Sequence, residues 1–186
     1  KDGFPLFGGF SSGLSIMQIP PLDLKQVEII KGSSSTLYGG GAIAGLVNLI
    51  SKQPKNEKEL SLMIDKTSRN GNTLNAYYSK RFNKFGLVLY GSGNMQKATD
   101  VNDDNFTDLP KVRSLSFSPS FYYYPTENEA WKLGLNSSFE NRIGGDVDYI
   151  NETMSPLQNF YEENKSNRYA IKLSYKKEIS ENKTFS

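Results

Sequence analysis

Two stretches of this sequence carry residue types that could do chemistry. Asp100–Asp108, "DVNDDNFTD", places Asp100, Asn102 and Asp104 at the first, third and fifth positions of a calcium-binding loop. The pattern then departs: position six is Asn105 in place of Gly, and position twelve is Lys111 in place of Glu. A solvated acidic loop is the plainer reading. Gly39-Gly40-Gly41 invites comparison with a phosphate cradle, yet there is no G-x-x-x-x-G-K-[ST], and the glycines follow the Leu37-Tyr38 pair. Freedom for the backbone to bend is what those glycines offer. Asn-x-Ser/Thr triplets begin at Asn105, Asn136, Asn151, Asn164 and Asn182, and chance in an Asn-rich chain accounts for them.

The usual reagents are missing elsewhere. The sequence has no Cys and no His, which excludes thiol chemistry, disulfides and zinc sites built on those residues, and removes the commonest general base. No carboxylate pair suggests an acid–base couple. No catalytic residue, metal site or cofactor is therefore assigned, and the chain reads as a non-enzyme. A net charge of +2, with both signs scattered, gives no nucleic-acid-binding face.

The elements that must position any site fall into two regions. Residues 1 to about 54 are rich in Gly, Pro, Ser and small apolar residues, with Val27–Ile30 a buried-strand candidate. From about Lys58 the sequence alternates with a period of two. In Arg113–Tyr124, Leu115, Phe117, Phe121 and Tyr123 oppose Ser114, Ser116, Ser118 and Ser120. Ala130–Glu140 and Arg168–Lys176 repeat the pattern, and Glu59–Asp65, Leu74–Phe82 and Phe85–Gln96 are weaker versions. These make about six strands, most near the ~9–11 residues that cross a bilayer at a tilt.

Asn70-Gly71 and Asn83-Lys84 mark tight turns. Long links (Lys97 to Val112, Asn141 to Asn167) then alternate with the short "TENE" and "SENK". Transmembrane barrels show that asymmetry. A soluble sandwich could show it too, and the aromatics Phe82, Phe85, Tyr122, Tyr123, Tyr124, Trp131 and Phe139 suit a membrane girdle or cross-strand pairing equally. A mean hydropathy of −0.54 does not separate the two, because only alternate barrel residues face lipid.

"VEIIKGSSSTLYGGGAIAGLVNLISK" resembles the end of the plug domain of TonB-dependent outer-membrane receptors. Val27, Glu28, Ile29, Ile30, Gly32, Leu37, Tyr38, Gly39, Ala42, Ile43, Gly45, Val47, Asn48 and Lys52 fall in register with the family pattern, and "DGFPL" resembles its upstream D-G-x-P turn. Lys31 stands where the family usually has Arg, and Ser33 where it often has Pro.

The resemblance implies a mainly all-β fold, a fragment of a 22-stranded-type transmembrane β-barrel with part of its small mixed α/β plug. Residues 1–54 would be the C-terminal part of the plug and residues 55–186 the first barrel strands. It implies active import across the bacterial outer membrane, energised by a TonB–ExbB–ExbD complex through a segment N-terminal to this chain. A ferric siderophore or other iron chelate is the expected cargo, with cobalamin, haem or glycan as alternatives. Glu28 and Lys31 would belong to a charge cluster locking plug to wall, although Lys lacks the two-pronged donor of Arg. Phe7 and Phe10 from a plug loop, and Tyr149 and Tyr161 from a barrel loop, would touch cargo; local packing is the competing reading. The opening on "KDGFPLF" without Met and the end at "ENKTFS" suggest an excerpt of something longer. The competing architecture is a soluble or surface β-sheet binding module.

Overall fold

The computed structural model describes residues 1–2, 22–32, 45–151 and 160–180, with the backbone alone of 183–185 and no side chains beyond 178. The chain divides into two compact units, Lys1–Gln53 and Pro54–Ser186.

In the first unit, β1 (Leu24–Lys31) pairs antiparallel with β2 (Gly45–Ser51), setting Val27 opposite Leu49 and Ile30 opposite Leu46. Val27–Ile30 is a strand as its apolar run suggests, but Val27 and Ile29 are 50% and 67% exposed rather than buried. Gly45, opposite Lys31, sits at φ +125, and a Cβ there would lie 2.6 Å from the Ile30 carbonyl oxygen, so only glycine suits the position. Asp2 ties the chain start to β2: its carboxylate accepts from Ser51 N at 2.8 Å and Ser51 Oγ at 3.0 Å. Lys1 forms an ion pair with the buried Asp23. The Gly39–Gly41 bend and Ser33 lie outside the described residues.

The second unit is one eight-stranded antiparallel sheet. It runs β3 (Glu59–Lys66), β4 (Gly71–Phe82), β5 (Phe85–Gln96), β6 (Lys111–Phe117), β7 (Ser120–Tyr123), β8 (Glu129–Gly145), β9 (Tyr161–Ser180) and β10 (Lys183–Phe185), with a short helix α1 (Val147–Asn151) before β9. Strands β6 and β7 are one crossing split at Pro119. Ser118 N donates to Tyr90 O and Leu135 N donates to Pro119 O, but Pro119 has no N–H to return to its partner. Six crossings result, β3, β4, β5, β6 with β7, β8 and β9, and β10 begins a seventh.

The two ends of the sheet differ. Asn83, at φ 51, and Lys84 join β4 to β5 by a two-residue turn, and residues 124–128 join β7 to β8. At the opposite end, residues 97–110 and 146–160 form long links.

Burial is inverted relative to a water-soluble sheet. Leu60, Ile64 and Ile171 are 69%, 73% and 77% exposed, while Tyr77, Ser79 and Asn75 on the other face are 1%, 1% and 3% exposed. The pairing registers stack the outward residues into rows. Phe82, Phe85, Tyr123, Trp131 and Tyr175 form one row, with Phe85–Tyr123 ring centroids 5.3 Å apart and Trp131–Tyr175 4.7 Å apart. Further along lie Leu87, Phe121, Leu133 and Leu173, and later Ile64, Leu74, Gly93, Leu115 and Phe139. From Trp131 to Phe139 is about 26 Å along the strand, at ~3.3 Å per residue. A tilt of roughly 35–45° reduces that to about 20 Å of height, close to the ~25 Å apolar band of outer-membrane barrels.

Two details correct the sequence reading. Tyr122 and Tyr124 do not join the girdle, since Tyr122 is buried on the opposite face and stacks with Tyr124 at 6.1 Å. The second long link is shorter than expected because β8 and β9 stay paired up to Gly145 and Tyr161. Past the apolar band both faces of a hairpin meet water, and the period-two signal that marks a strand disappears.

Candidate functional site

The long-loop end holds the most organised cluster of polar side chains. Asp146 is 1% exposed and caps α1: its Oδ1 accepts from Tyr149 N at 3.0 Å. Its Oδ2 accepts from Asn105 Nδ2 at 3.3 Å, and Val147 N donates to Asn105 O at 3.0 Å. Thr107 completes the tie, donating from its N to Gly145 O and accepting from Gly145 N at its Oγ1, both at 2.9 Å. Phe106 packs on Phe160, with centroids 6.4 Å apart. Lys111 Nζ reaches Ile150 O at the end of α1, satisfying a helix carbonyl that would otherwise lack a donor. The two long loops are therefore fastened to each other.

That fastening brings together two residues expected to touch cargo. Tyr149 and Tyr161 stack with centroids 5.1 Å apart and planes at 22°, both substantially exposed. Phe7 and Phe10 lie outside the described residues. Glu28 faces Asn48 across the β1–β2 pair, its Oε2 accepting from Asn48 Nδ2 at 2.9 Å, and Lys31 ends β1 exposed.

The acidic loop spends its carboxylates on its own backbone. Asp100 accepts from the amides of Asn102, Asp103 and Asn105, Asp104 from Phe106 N, and Asp108 from Val101 N. Asn105 takes φ 68, the left-handed conformation for which glycine is favoured. Among the described residues no three carboxylates form a group able to hold a metal ion.

Near the short-turn end, the Arg81 guanidinium sits 3.9 Å from the Tyr124 ring centroid. Burial raises the Tyr124 phenol above its ordinary range, and Arg81 pulls in the opposite direction. The inner face between the two ends is wet chemistry held in pairs. Tyr90 donates its hydroxyl to Asn75, Ser116 to Ser138 at 3.1 Å, and Asn94 to Thr73 at 3.1 Å.

Sequence reasoning passed over Asp146 and Thr107, and read Asn105 only as part of the acidic loop and of a chance triplet. The signal was present for one of them: Asp146 precedes "VDYI" as an N-cap residue precedes a helix. Nothing in the local sequence of Asn105 or Thr107 announces a partner some forty residues away.

A sheet with an exposed apolar face, a polar inner face, an aromatic row at one end and long loops at the other defines a transmembrane β-wall. Residues 1–46 match the TonB-dependent Receptor Plug Domain family. The chain is 30% identical over 93 residues to the Ferric enterobactin receptor PirA of Pseudomonas aeruginosa, covering 45% of this chain and 12% of that protein. It is 28% identical over 138 residues to the Ferrioxamine receptor of Yersinia enterocolitica, covering 73% and 18%. It is also 21% identical over 168 residues to the Vitamin B12 transporter BtuB of Vibrio vulnificus, covering 81% and 24%. Residues 1–46 thus match the plug of TonB-dependent receptors, and the relatives of the longer chain are receptors and transporters of the bacterial outer membrane, which places this chain there. It spans less than a quarter of the length of each of these relatives, which are receptors and transporters rather than enzymes.

Proposed function

We propose that this chain is the working junction of an active importer: residues 1–54 the end of a plug, residues 55–186 the first strands of a 22-stranded-type barrel. The observation that carries the reading is the succession, within one chain, of a plug-family match and a sheet whose apolar side faces outward. The plug stoppers the lumen. TonB, driven by ExbB and ExbD, pulls on a segment N-terminal to the plug and opens a path. Glu28 and Lys31 hold the plug to wall residues until that pull arrives. Lipid surrounds the outward face.

The cargo is a ferric siderophore or another iron chelate. Support comes from relatives named for ferric enterobactin and ferrioxamine. Cobalamin is the second reading, supported by the match to a vitamin B12 transporter over most of the chain. Phe7, Phe10, Tyr149 and Tyr161 contact the cargo.

The test uses the complete receptor in its host. Cells are starved of iron and supplied with radiolabelled ferric enterobactin, ferrioxamine or cyanocobalamin. Uptake of an iron chelate that stops on deletion of the receptor or of TonB, with surface binding retained in the TonB deletion, supports the reading. Uptake of cyanocobalamin alone transfers the cargo to the second reading. Recovery of the receptor in the soluble periplasm would refute the importer architecture itself. Removing both Tyr149 and Tyr161 side chains should weaken surface binding by about two- to tenfold, at ~0.5–1.5 kcal/mol for an aromatic pair beyond its area burial.

A further inference from the structure

The inner face near the short turns carries a gap in one register row. Arg81 of β4, Gly86 of β5, Tyr122 of β7 and Lys132 of β8 stand opposite one another across the sheet. Gly86 brings no side chain to that row, and Pro54, the first residue of the second unit, is buried in its place. A Cβ built at Gly86 would lie 2.6 Å from Pro54 Cγ and 3.1 Å from Tyr122 Cβ, so the proline already fills the space that any other residue would need. The next residue is held by its backbone: Arg81 N donates to Lys55 O at 2.7 Å. Arg81 lies beyond Glu59–Ser79, the last pair of β3 with β4, and Lys55 gives its amide the partner that β3 does not. The wall of the notch is itself braced. Lys132 Nζ sits 5.5 Å from the Tyr122 ring centroid, and Tyr122 stacks on Tyr124, whose ring the Arg81 guanidinium covers.

We propose that Pro54 is a fixed anchor: it stays seated between Gly86 and Tyr122 throughout import, and the path opens by rearrangement of residues upstream of it. The proposal rests on the import reading given above. A pull that arrives from the N-terminal side needs a fixed point to work against. With Pro54 unseated, the stretch from Pro54 to Glu59 at the start of β3 would give up to ~18 Å of slack, and the plug could swing without changing its interior. Two features suit a lasting anchor better than a release joint. Proline has a fixed φ, so the linker gains less freedom on leaving than another residue would give it. The contact is made by an apolar ring and a backbone carbonyl, neither of which carries a charge that a change of partner could switch, and leaving would open Pro54 and the buried Tyr122 to water. Gly86, Tyr122 and Arg81 are thus positioning residues that set where the plug ends.

The complete receptor carrying Pro54→Cys and Gly86→Cys tests the anchor in cells. The Cβ built at Gly86 lies 3.4 Å from Pro54 Cβ, close to the ~3.5–4.5 Å of disulfides, and this chain has no cysteine of its own. Oxidation should close the pair, as read by thiol labelling. The locked receptor should then take up radiolabelled ferric enterobactin, ferrioxamine or cyanocobalamin, whichever it imports, at the rate of its reduced form. A lock that stops uptake and releases it on reduction overturns the anchor, as does a pair that will not oxidise in the folded receptor. A second series reads the notch in purified receptor through trypsin cleavage after Lys55, and it decides alone if the cysteine pair does not fold. The wild type should resist, and Gly86→Ala should be cut about tenfold faster, since overpacking a filled site destabilises it and proteolysis follows the open population. Gly86→Ala/Pro54→Ala removes the 2.6 Å contact with Cγ and should return toward the wild-type rate. Equal cleavage of all three, each shown folded by a heat-modifiable gel shift, overturns the notch. The failures separate: a receptor without substitutions that shows no TonB-dependent uptake counts against the import reading, whereas one that imports and stalls only when locked counts against the anchor alone.

Discussion

Ile171 offers the sharpest test of which solvent the exposed face meets. It is 77% exposed and pairs with Leu135. Tyr175, in the aromatic row, lies four residues along β9, and Lys165, in register with Arg113 through Asn141, six residues the other way. At ~3.3 Å per residue and a tilt of about 40°, Ile171 sits roughly 10 Å in depth from the first row and roughly 15 Å from the second. Those distances place it near the middle of the apolar band. In water, replacing so exposed a residue with arginine changes stability by no more than about 0.5 kcal/mol. In a bilayer, the same change at the midplane costs about 2–4 kcal/mol, and at the interface ~0–1. Ile171→Arg in the complete receptor should therefore cost about 2–4 kcal/mol, and Tyr175→Arg about 1 kcal/mol or less. The assay is equilibrium urea unfolding from phosphatidylcholine vesicles, followed by tryptophan fluorescence. If the two variants prove equally stable, the face does not lie in lipid and the whole reading of the wall collapses.

Four further outcomes follow from the same geometry. Asp146→Ala removes both the α1 cap and the tie to Asn105; a loss of about 2 kcal/mol locally should speed limited chymotrypsin cleavage at the loops roughly tenfold or more, and an unchanged rate would refute the fastening. Gly145→Ala places a Cβ 2.3 Å from the Phe160 carbonyl oxygen at φ +134 and should lower stability by about 2 kcal/mol in a detergent melt, whereas Gly91→Ala, with open space, should leave it unchanged. Tyr90→Phe strips a buried donor from Asn75 and should cost about 1–2 kcal/mol in the same melt; a neutral result would mean the bond contributes nothing. The 186-residue chain in detergent-free buffer should self-associate through the open edges of β3 and β10 and its apolar face, and a dilute monomer in light scattering would contradict that.

The strand core was legible because period-two alternation survives wherever two different media meet the two faces. Leu115, Phe117, Phe121 and Tyr123 keep one parity straight through Ser118-Pro119, so the sequence shows one crossing where the hydrogen-bond ladder is broken. The same logic explains the misses. Beyond Asn141, β8 carries Arg142, Ile143, Gly144 and Gly145 opposite Asn164, Glu163, Glu162 and Tyr161, and no alternation remains to be read. Tyr122 and Tyr124 flank Tyr123 in sequence, and the alternation that groups Tyr123 with Leu115, Phe117 and Phe121 already turns them to the opposite face, in agreement with the register of Tyr123 with Trp131. The loop cluster was hidden for a different reason. Asn105 and Thr107 meet Asp146 and Gly145 across a hairpin boundary, and contacts of such sequence separation leave no local pattern.

The two faces also settle why this sequence can be so polar and still cross a membrane. Many outward residues are followed by an inward polar one, as Leu74 by Asn75, Leu115 by Ser116 and Ile171 by Lys172, so much of each strand is spent on water-side chemistry. Those inward groups are not idle in energetic terms. Asn75 and Ser79 are almost fully buried, and a buried polar group without a partner costs about 1–3 kcal/mol. Pairs such as Tyr90 with Asn75 and Ser116 with Ser138 meet that demand within the sheet itself. Within the apolar band the outward side has few groups that need such pairs, because its residues offer mainly apolar surface and the backbone bonds to neighbouring strands. An inverted sheet of this kind is stable only where lipid covers one side, which is why the burial pattern, more than the hydropathy, identifies the solvent.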